Sequence, residues 1–290
     1  MSARVLVLGS TGMLGSAVFG ELQGAGLNPL SASRTSGVMF DATKPDVDRL
    51  FARAQLGVGD YVVNCVGLTK ARIDESSAES RMLAVALNVY FPHALAMTAE
   101  KYGVKVIQVA TDCVYSGARG AYVESDSHDP LDVYGKTKSL GEIPSKSVMH
   151  LRCSLIGPEV GRNSLFFEWL RQLPRGSSID GYTNHIWNGL SSDAFGKIVA
   201  GIIRQEAFSQ GVQHLVPADI VTKDERVRLV LEYLDRSDVI VNSAPAERPV
   251  NRTLSTDTSE KNEFLFRGAG YSNVPTIRDM VRETCLQLAN

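Results

Sequence analysis

Arg4-Val5-Leu6-Val7-Leu8 is an unbroken apolar and β-branched run, the pattern of a strand buried on both faces of a parallel sheet. Beyond a glycine-rich turn the period changes, and Val18, Phe19 and Leu22 recur at helical spacing as far as Gly24. The alternation then repeats. Tyr61-Val62-Val63, Val104 to Val109 and Val148 to Leu155 read as further buried strands, with helical patterns between them. Strands and helices in turn predict an α/β fold, a Rossmann-like doubly wound parallel sheet. In such a sheet the ligand site lies beyond the carboxyl ends of the strands.

Past Ser154 the character changes. Gly157-Pro158-Glu159 opens a polar connection, the aromatic run Phe166-Phe167-Glu168-Trp169 follows, and Gly181 to Gly189 reads as an irregular loop rich in aromatic and hydrogen-bonding groups. Loops of this kind above a sheet edge more often carry specificity than support. Asp193 to Ile203 returns to a helical period and His214-Leu215-Val216 to a short strand, so the chain crosses between lobes more than once. The expected division is a dinucleotide-binding domain over 1–156, with 190–216 returning to it, and a smaller substrate-binding lobe over 157–189 and 217–290.

Composition narrows the class of function. With 290 residues, 44% hydrophobic and 21% charged, the chain can bury a full core in one large or two unequal units. A formal net charge of -2, with no block of like charge, gives no general attraction to nucleic acid or anionic membrane, so small-molecule chemistry is expected. Cys65, Cys113, Cys153 and Cys285 lie far apart, with no Cys-x-x-Cys pair and no histidine at ligand spacing. They read as reduced thiols of a cytoplasmic protein, and no metal site is expected. The first apolar run begins too early to leave room for a signal peptide. The longest apolar stretch, Met82 to Met97, contains Asn88, Pro92 and His93 and is not expected to span a membrane.

Candidate chemistry sits at the strand ends. Gly9-Ser10-Thr11-Gly12-Met13-Leu14-Gly15 joins strand to helix, the context in which glycines let a pyrophosphate approach the backbone and the helix N-terminus supplies free N–H groups. Asn64-Cys65-Val66-Gly67 ends the middle strand at the same edge, and Thr111 ends the strand after it. Following the second strand, Ser31-Ala32-Ser33-Arg34-Thr35 has no carboxylate for a ribose 2′-OH and an arginine where a 2′-phosphate would lie. That predicts NADPH as cofactor, with NADH the alternative.

Pro130 and Asp132 mark a helix start, and Tyr134 and Lys138, four residues apart, then share a face. An ammonium close to a phenol is expected to lower the phenol's pKa toward the working range of an acid or base. Pro92 interrupts a helix beginning near Ser80 and cannot donate to the carbonyl of Asn88, which frees that oxygen.

The G-x-x-G-x-x-G spacing resembles that of the short-chain dehydrogenase/reductase superfamily, and three stretches resemble its dTDP-4-dehydrorhamnose reductase-like branch. Thr111-Asp112-Cys113-Val114-Tyr115-Ser116-Gly117 is similar to the branch's Thr-Asp-Tyr-Val-Phe-x-Gly. Asp129 to Lys138 is similar to its Pro-Leu-Asn-Val-Tyr-Gly-x-x-Lys, and Arg248-Pro249 to Leu254 to its Arg-Pro-x-x-Ser-x-Leu. The resemblance implies reduction of the C4 ketone of a nucleotide-linked 6-deoxy-4-ketohexose. Gly9, Thr11, Gly12, Met13, Leu14, Gly15, Ser33, Arg34, Asn64, Cys65 and Val66 would line the cofactor, with Asp41 near the adenine. Tyr134 would give its proton to the alkoxide, Lys138 bind the nicotinamide ribose, Thr111 hold the carbonyl oxygen and Asn88 hold a water in a proton relay.

On the substrate side the resemblance points to Asp112, Cys113, Asn184, His185 and Trp187. Two phosphate charges entering an acidic protein need local cations, for which Arg248 is the first candidate, with Arg252, Lys70 and Arg72 as others. Cys113 in place of the usual aromatic, and the unfamiliar Asn184 to Gly189, leave the sugar, its C4 stereochemistry and the nucleotide open. The alternative readings are a 4,6-dehydratase, which would be expected to carry a glutamate where Cys113 stands, an epimerase of the same superfamily, and a non-catalytic NADP-binding regulatory subunit. A homodimer is one assembly the resemblance leaves open.

Overall fold

The two periods become two kinds of layer. In the computed structural model, which describes residues 3–34, 37–158 and 166–288, the first half alternates strand and helix. It runs β1 (Val5–Leu8), α1 (Met13–Gly24), β2 (Leu30–Ser33), β3 (Val38–Met39), α2 (Val47–Ala54), β4 (Tyr61–Asn64), α3 (Ala78–Val85), α4 (Phe91–Tyr102), β5 (Lys105–Thr111), α5 (Val133–Leu140) and β6 (Val148–Cys153). The second half has shorter strands: β7 (Leu155–Ile156), α6 (Phe166–Gln172), β8 (Ser178–Tyr182), β9 (His185–Trp187), β10 (Leu190–Ser191), α7 (Ser192–Arg204) and β11 (Gly211–His214). It closes with β12 (Val221–Thr222), α8 (Lys223–Tyr233), β13 (Ile240–Ala244), β14 (Val250–Asn251), α9 (Ser259–Gly268) and α10 (Ile277–Leu288). Thr35, beside Arg34, and Glu159, in the polar connection, lie outside the described residues.

Seven strands form one parallel sheet in the order β11-β6-β5-β4-β1-β2-β3. Strand order reverses between β1 and β4, which opens a crevice at their carboxyl ends. Every residue of β1, β4 and β6 is buried, the physical reason the apolar runs of β1 and β4 do not alternate. Within β1, Val5 and Val7 face the α1, α7 and α10 side, while Leu6 and Leu8 face α2 and α4. The period of two thus feeds two cores from one strand.

Two expectations change in detail. The irregular loop expected over Gly181 to Gly189 contains strands: β8 pairs in parallel with β13, and β9 lies between β12 and β14. Its partners are distant in sequence, so nothing local announces the pairing. The proline interruption of the helix near Ser80 is a π turn, Ala86–Tyr90, joining α3 to α4 with Pro92 in the first turn of α4. The wider turn absorbs the missing N–H without breaking the run. By length and apolar content this run, Ala78–Tyr102, would suffice to cross a membrane, but 44% of its apolar window is buried in the fold.

A buried polar network locks the far end of the sheet. Arg152, on β6, is 1% exposed. Its guanidinium donates to Glu142, to the Tyr115 hydroxyl at 2.7 Å, to His214 Nε2 at 2.6 Å and to His128 Nε2 at 2.9 Å. Accepting from a guanidinium requires each imidazole to be neutral, with its proton on Nδ1. His214 Nδ1 accordingly donates to the Ser255 carbonyl at 2.6 Å and His128 Nδ1 to Ser139 Oγ at 2.8 Å.

Removing Arg152 leaves the Glu142 carboxylate buried without its cation. Arg152→Ala should therefore cost about 3–5 kcal/mol of folding stability, read from urea unfolding midpoints. Burial also holds His128, His150 and His214 below the ordinary imidazole pKa. The unfolded chain then takes up protons that the folded chain refuses, so stability should be greatest above about pH 6.5 and fall as the pH drops below it. Urea midpoints that stay level between about pH 8 and pH 5 would contradict this.

Candidate active site

The glycine turn is a cradle made by close packing. Gly9 has φ +77°, and a Cβ there would stand 3.2 Å from the Cys65 backbone. A Cβ on Gly15 would lie 2.1 Å from the Gly9 carbonyl oxygen, so only glycine lets α1 settle on the turn. Gly12 caps α1 without a side-chain hydrogen bond, and the first turn of the helix holds no acid. The free N–H groups and the positive end of α1 are thus left for an anion, with Thr11 exposed beside them and Met13 and Leu14 half-buried below.

The neighbouring strand ends are tied to this cradle. Asn64, at the end of β4, donates to Gln108 Oε1 at 2.8 Å and accepts from the Val66 N–H at 3.0 Å, which bends the chain at Cys65. Cys65 donates its backbone N–H to the Leu8 carbonyl at 3.1 Å, while burial pushes its thiol up to about 12. At the end of β2, the Ser33 carbonyl accepts from the Phe40 N–H at 2.9 Å, and Arg34 just beyond it is exposed. The Thr43 N–H and hydroxyl hold Asp41 below the ordinary carboxylate range, with Arg34 adding its charge.

At the end of β5, Thr111 Oγ1 donates to Asp112 at 3.2 Å and accepts from the Cys113 N–H at 3.2 Å, closing a turn at Asp112–Val114. Helix α5 presses on that turn: a Cβ on Gly135 would lie 2.2 Å from the Cys113 carbonyl oxygen. On this helix the Tyr134 phenol has the Thr111 hydroxyl as a hydrogen-bonding neighbour. Asp132 caps α5 by accepting from the Gly135 N–H at 2.7 Å and pairs with Lys70 at 2.7 Å. Burial opposes its charge, yet these partners keep its carboxyl below the ordinary value. Lys138 donates to the Val109 carbonyl at 2.8 Å, and burial lowers its pKa against the pull of Glu142 and Cys65.

The expected lowering of the phenol's pKa is reversed. Desolvation first, then Cys113, Asp112 and Asp132, push Tyr134 above the ordinary phenol value, and the Thr111 hydroxyl only partly offsets them. The Lys138 ammonium is drawn to the Val109 carbonyl instead. Tyr134 is consequently a protonated phenol at neutral pH. Cys113 is likewise raised by burial, to about 12, and buried Asp112 is raised by desolvation against Arg252.

The other expected residues are placed less uniformly. Asn88, in the π turn, uses its amide on the Leu68 backbone at 2.8 and 3.0 Å and on Thr137 Oγ1 of α5 at 3.1 Å. Asn184 clamps Ala246 through two hydrogen bonds of 2.8 Å. His185 donates to the Arg248 carbonyl at 3.1 Å, while the Arg248 side chain is exposed. Trp187 reaches the sheet edge, its indole N–H donating to Ser154 Oγ at 2.8 Å.

Arg252 and Arg226 both interact with Asp112, just past the end of β5, whereas the Arg248 side chain is exposed. Arg252 donates to the Tyr115 carbonyl at 2.9 Å and stabilises the Asp112 charge, which Arg226 also feels. Only the Thr222-x-x-Glu225 capping box marks the start of α8 in the sequence, and it says nothing of where Lys223 and Arg226 point. Among the described residues, no group of three or more His, Cys, Asp or Glu side chains could hold a metal ion.

With this geometry in view, the RmlD substrate binding domain family model matches residues 3–273. The chain belongs to this family, one of the extended short-chain dehydrogenase/reductases. A stretch of 149 residues is 32% identical to methionine adenosyltransferase 2 subunit beta of Mus musculus, covering 49% of this chain and 42% of that protein. The chain thus spans under half the length of the first curated relatives it matches. A dTDP-4-dehydrorhamnose reductase of Mycolicibacterium smegmatis is 24% identical over 274 residues, covering 89% of this chain and 80% of the reductase. Among solved structures, a dTDP-4-dehydrorhamnose reductase of Bacillus anthracis in complex with NADP superposes with a TM-score of 0.80 at 20% identity, covering 99% of this chain and 100% of the other. The last likeness concerns the fold.

Asp132 holds α5 twice, as its cap and as the partner of Lys70. Asp132→Ala should cost about 1–2 kcal/mol, measured by thermal or urea unfolding, whereas Lys70→Ala, which leaves the cap intact, should cost less than about 1 kcal/mol. Equal losses in the two variants would mean the cap contributes nothing.

Proposed function

We propose that this protein is an NADPH-dependent reductase of the C4 ketone of a nucleotide-linked 6-deoxy-4-keto sugar, acting in the cytoplasm. The observation that carries the reading is the Thr111 hydroxyl beside the Tyr134 phenol, with Lys138 one turn further along α5, at the edge shared with the glycine cradle. The proposed division gives the cofactor to 1–156 with 190–216, and the substrate to 157–189 with 217–290.

The cradle fits a dinucleotide. Gly9 and Gly15 leave no room for a Cβ at the turn, and Gly12 leaves the N–H groups of α1 open. Gly9, Thr11, Gly12, Met13, Leu14 and Gly15 would hold the pyrophosphate, Ser33, Arg34 and Asp41 the adenosine end, and Asn64, Cys65 and Val66 the side toward the nicotinamide. When bound, NADPH supplies the hydride that reduces the carbonyl carbon.

The chain's own residues handle the proton. Thr111 donates to the carbonyl oxygen and fixes it in reach of Tyr134. The phenol, kept protonated by burial, transfers its proton to that oxygen as negative charge develops there, leaving a phenolate and an alcohol. Even with its pKa raised, the phenol is a stronger acid than the product alcohol, so the proton still passes downhill to the alkoxide. Lys138, one helical turn further along α5 and held by the Val109 carbonyl, would bind the nicotinamide ribose. Asn88 holds α5 against the Leu68 loop through Thr137. Asp112, Cys113, Asn184, His185 and Trp187 would shape the sugar site, with Arg248 at its rim.

A second reading has an observation behind it, the match to methionine adenosyltransferase 2 subunit beta. A chain serving as a partner subunit would bind the dinucleotide without needing the Thr111, Tyr134 and Lys138 set, which here is complete.

Tyr134→Phe should lower turnover of a 4-keto sugar nucleotide by about 10²–10⁴-fold while NADPH affinity stays within a few-fold. Retention of half the original rate would remove Tyr134 from the chemistry. For the cofactor, Arg34→Ala should reduce the ratio of kcat/KM for NADPH over NADH by roughly tenfold, the loss of a charged hydrogen bond to the 2′-phosphate. An unchanged ratio would take Arg34 out of the cofactor site.

A further inference from the structure

Two arginines in this fold have opposite surroundings. All five N–H groups of Arg152 have acceptors. Arg226, on α8, is held differently: its guanidinium carbon lies 4.5 Å from the centre of the Phe166 ring and 4.6 Å from that of Trp187. Its Nε is sealed from solvent and has no hydrogen-bond partner among the described residues. A scaffold arginine so placed would be a cost without a return.

Its electrostatic setting points the same way. Burial pushes the Arg226 guanidinium down to about 10, and Asp112 relieves this only in part. Lys223, three residues earlier on the same helix face, is lowered by burial and then by Arg226 itself, with Asp180 opposing in part, and sits 4.5 Å over the Tyr182 ring. Two desolvated cations that repel each other make a site in want of an anion.

The position is fixed by Trp187. Its indole, stacked on Arg226, is tied to Ser154, and Ser154 follows Cys153, the register partner of Thr111. The guanidinium therefore stands near the end of β6, within electrostatic reach of Asp112, the residue after Thr111.

We propose that Arg226, supported by Lys223, is the oxyanion anchor of the substrate lobe, donating paired hydrogen bonds to a diphosphate oxygen or to a carboxylate on the hexose while Phe166 and Trp187 hold its plane. This rests on the sugar-nucleotide reading above and adds a feature the substrate must carry. It moves the principal anion contact from the exposed Arg248 to the partly buried Arg226.

The test is calorimetric titration of the full chain with inorganic pyrophosphate, dTDP, UDP, and their hexose conjugates with and without a C6 carboxylate. Arg226→Met, which fills the same space without charge, should weaken binding of the recognised anion at least tenfold, leave NADPH affinity unchanged and leave Tm equal or higher. Arg226→Lys, lacking the planar fork, should recover only part of that loss. A loss already present with dTDP or pyrophosphate assigns the site to the diphosphate, and a loss confined to the C6 acids assigns it to the carboxylate. The proposal is overturned if Arg226→Met binds every ligand as the original protein does, if only Arg248→Ala weakens binding, if the original protein binds none of the anions, or if Tm falls by several degrees with no selective loss. If anions bind through Arg226 but no 4-keto sugar is reduced with NADPH, the anchor stands and the reductase reading falls.

Discussion

Arg152 is wholly buried, and a guanidinium in that position must find an acceptor for each of its five N–H groups or destabilise the fold by several kcal/mol, of order 3–5. Its acceptors come from separate parts of the chain: Tyr115 after β5, His128 in the loop before α5, Glu142 just after α5 and His214 at the end of β11. Satisfying one side chain therefore fixes the loop and helix that carry Tyr134 relative to the sheet. Glu142 also acts on Lys138, whose charge it favours against burial. Scaffold and site thus share a carboxylate, and a change in one is felt in the other.

The second constraint is topological. Strand order reverses between β1 and β4, so the turns after them separate at their carboxyl ends and leave a crevice without any residue having to be sacrificed to make it. The glycines are a consequence. Gly9 approaches the Cys65 backbone, Gly15 approaches Gly9, and Gly135 approaches Cys113, three close contacts that bring three segments to one edge. A side chain at any of these positions would part the segments and separate the groups the edge collects.

What could be read from the sequence was whatever local physics dictates. β1, the glycine turn and α1 were legible because a change from continuous apolar residues to helical period leaves little choice, and Tyr134 with Lys138 was legible because Asp132 announces the helix that aligns them. The small sheets were not, since β8 pairs with β13 and β9 with β14, partners about 60 residues away. The sign of the Tyr134 shift was missed for a related reason. Spacing along a helix shows which charge is near, but not how thoroughly the fold removes water, and desolvation is the larger effect here. Asn184 looked like a polar loop residue free to meet a substrate, whereas both ends of its amide serve the Ala246 backbone.

Arg226 was invisible for the same cause and is informative for the opposite one. On α8 it occupies an ordinary helical position, and a solvated arginine there would go unremarked. Only the fold shows it flanked by Phe166 and Trp187 and short of an acceptor. Native structures leave few buried donors unmet, so each exception needs a reason. In the Arg152 network the donors and acceptors balance within the chain, which makes that network architecture. Around Arg226 they do not balance: among the described residues Asp112 is the one acid that favours its charge, and Asp112 is itself raised by desolvation and adjacent in sequence to Thr111. An unbalanced positive charge beside Asp112, on the same edge as a phenol that burial keeps protonated, is what the proposed function requires of a site that would receive an anion and donate a proton.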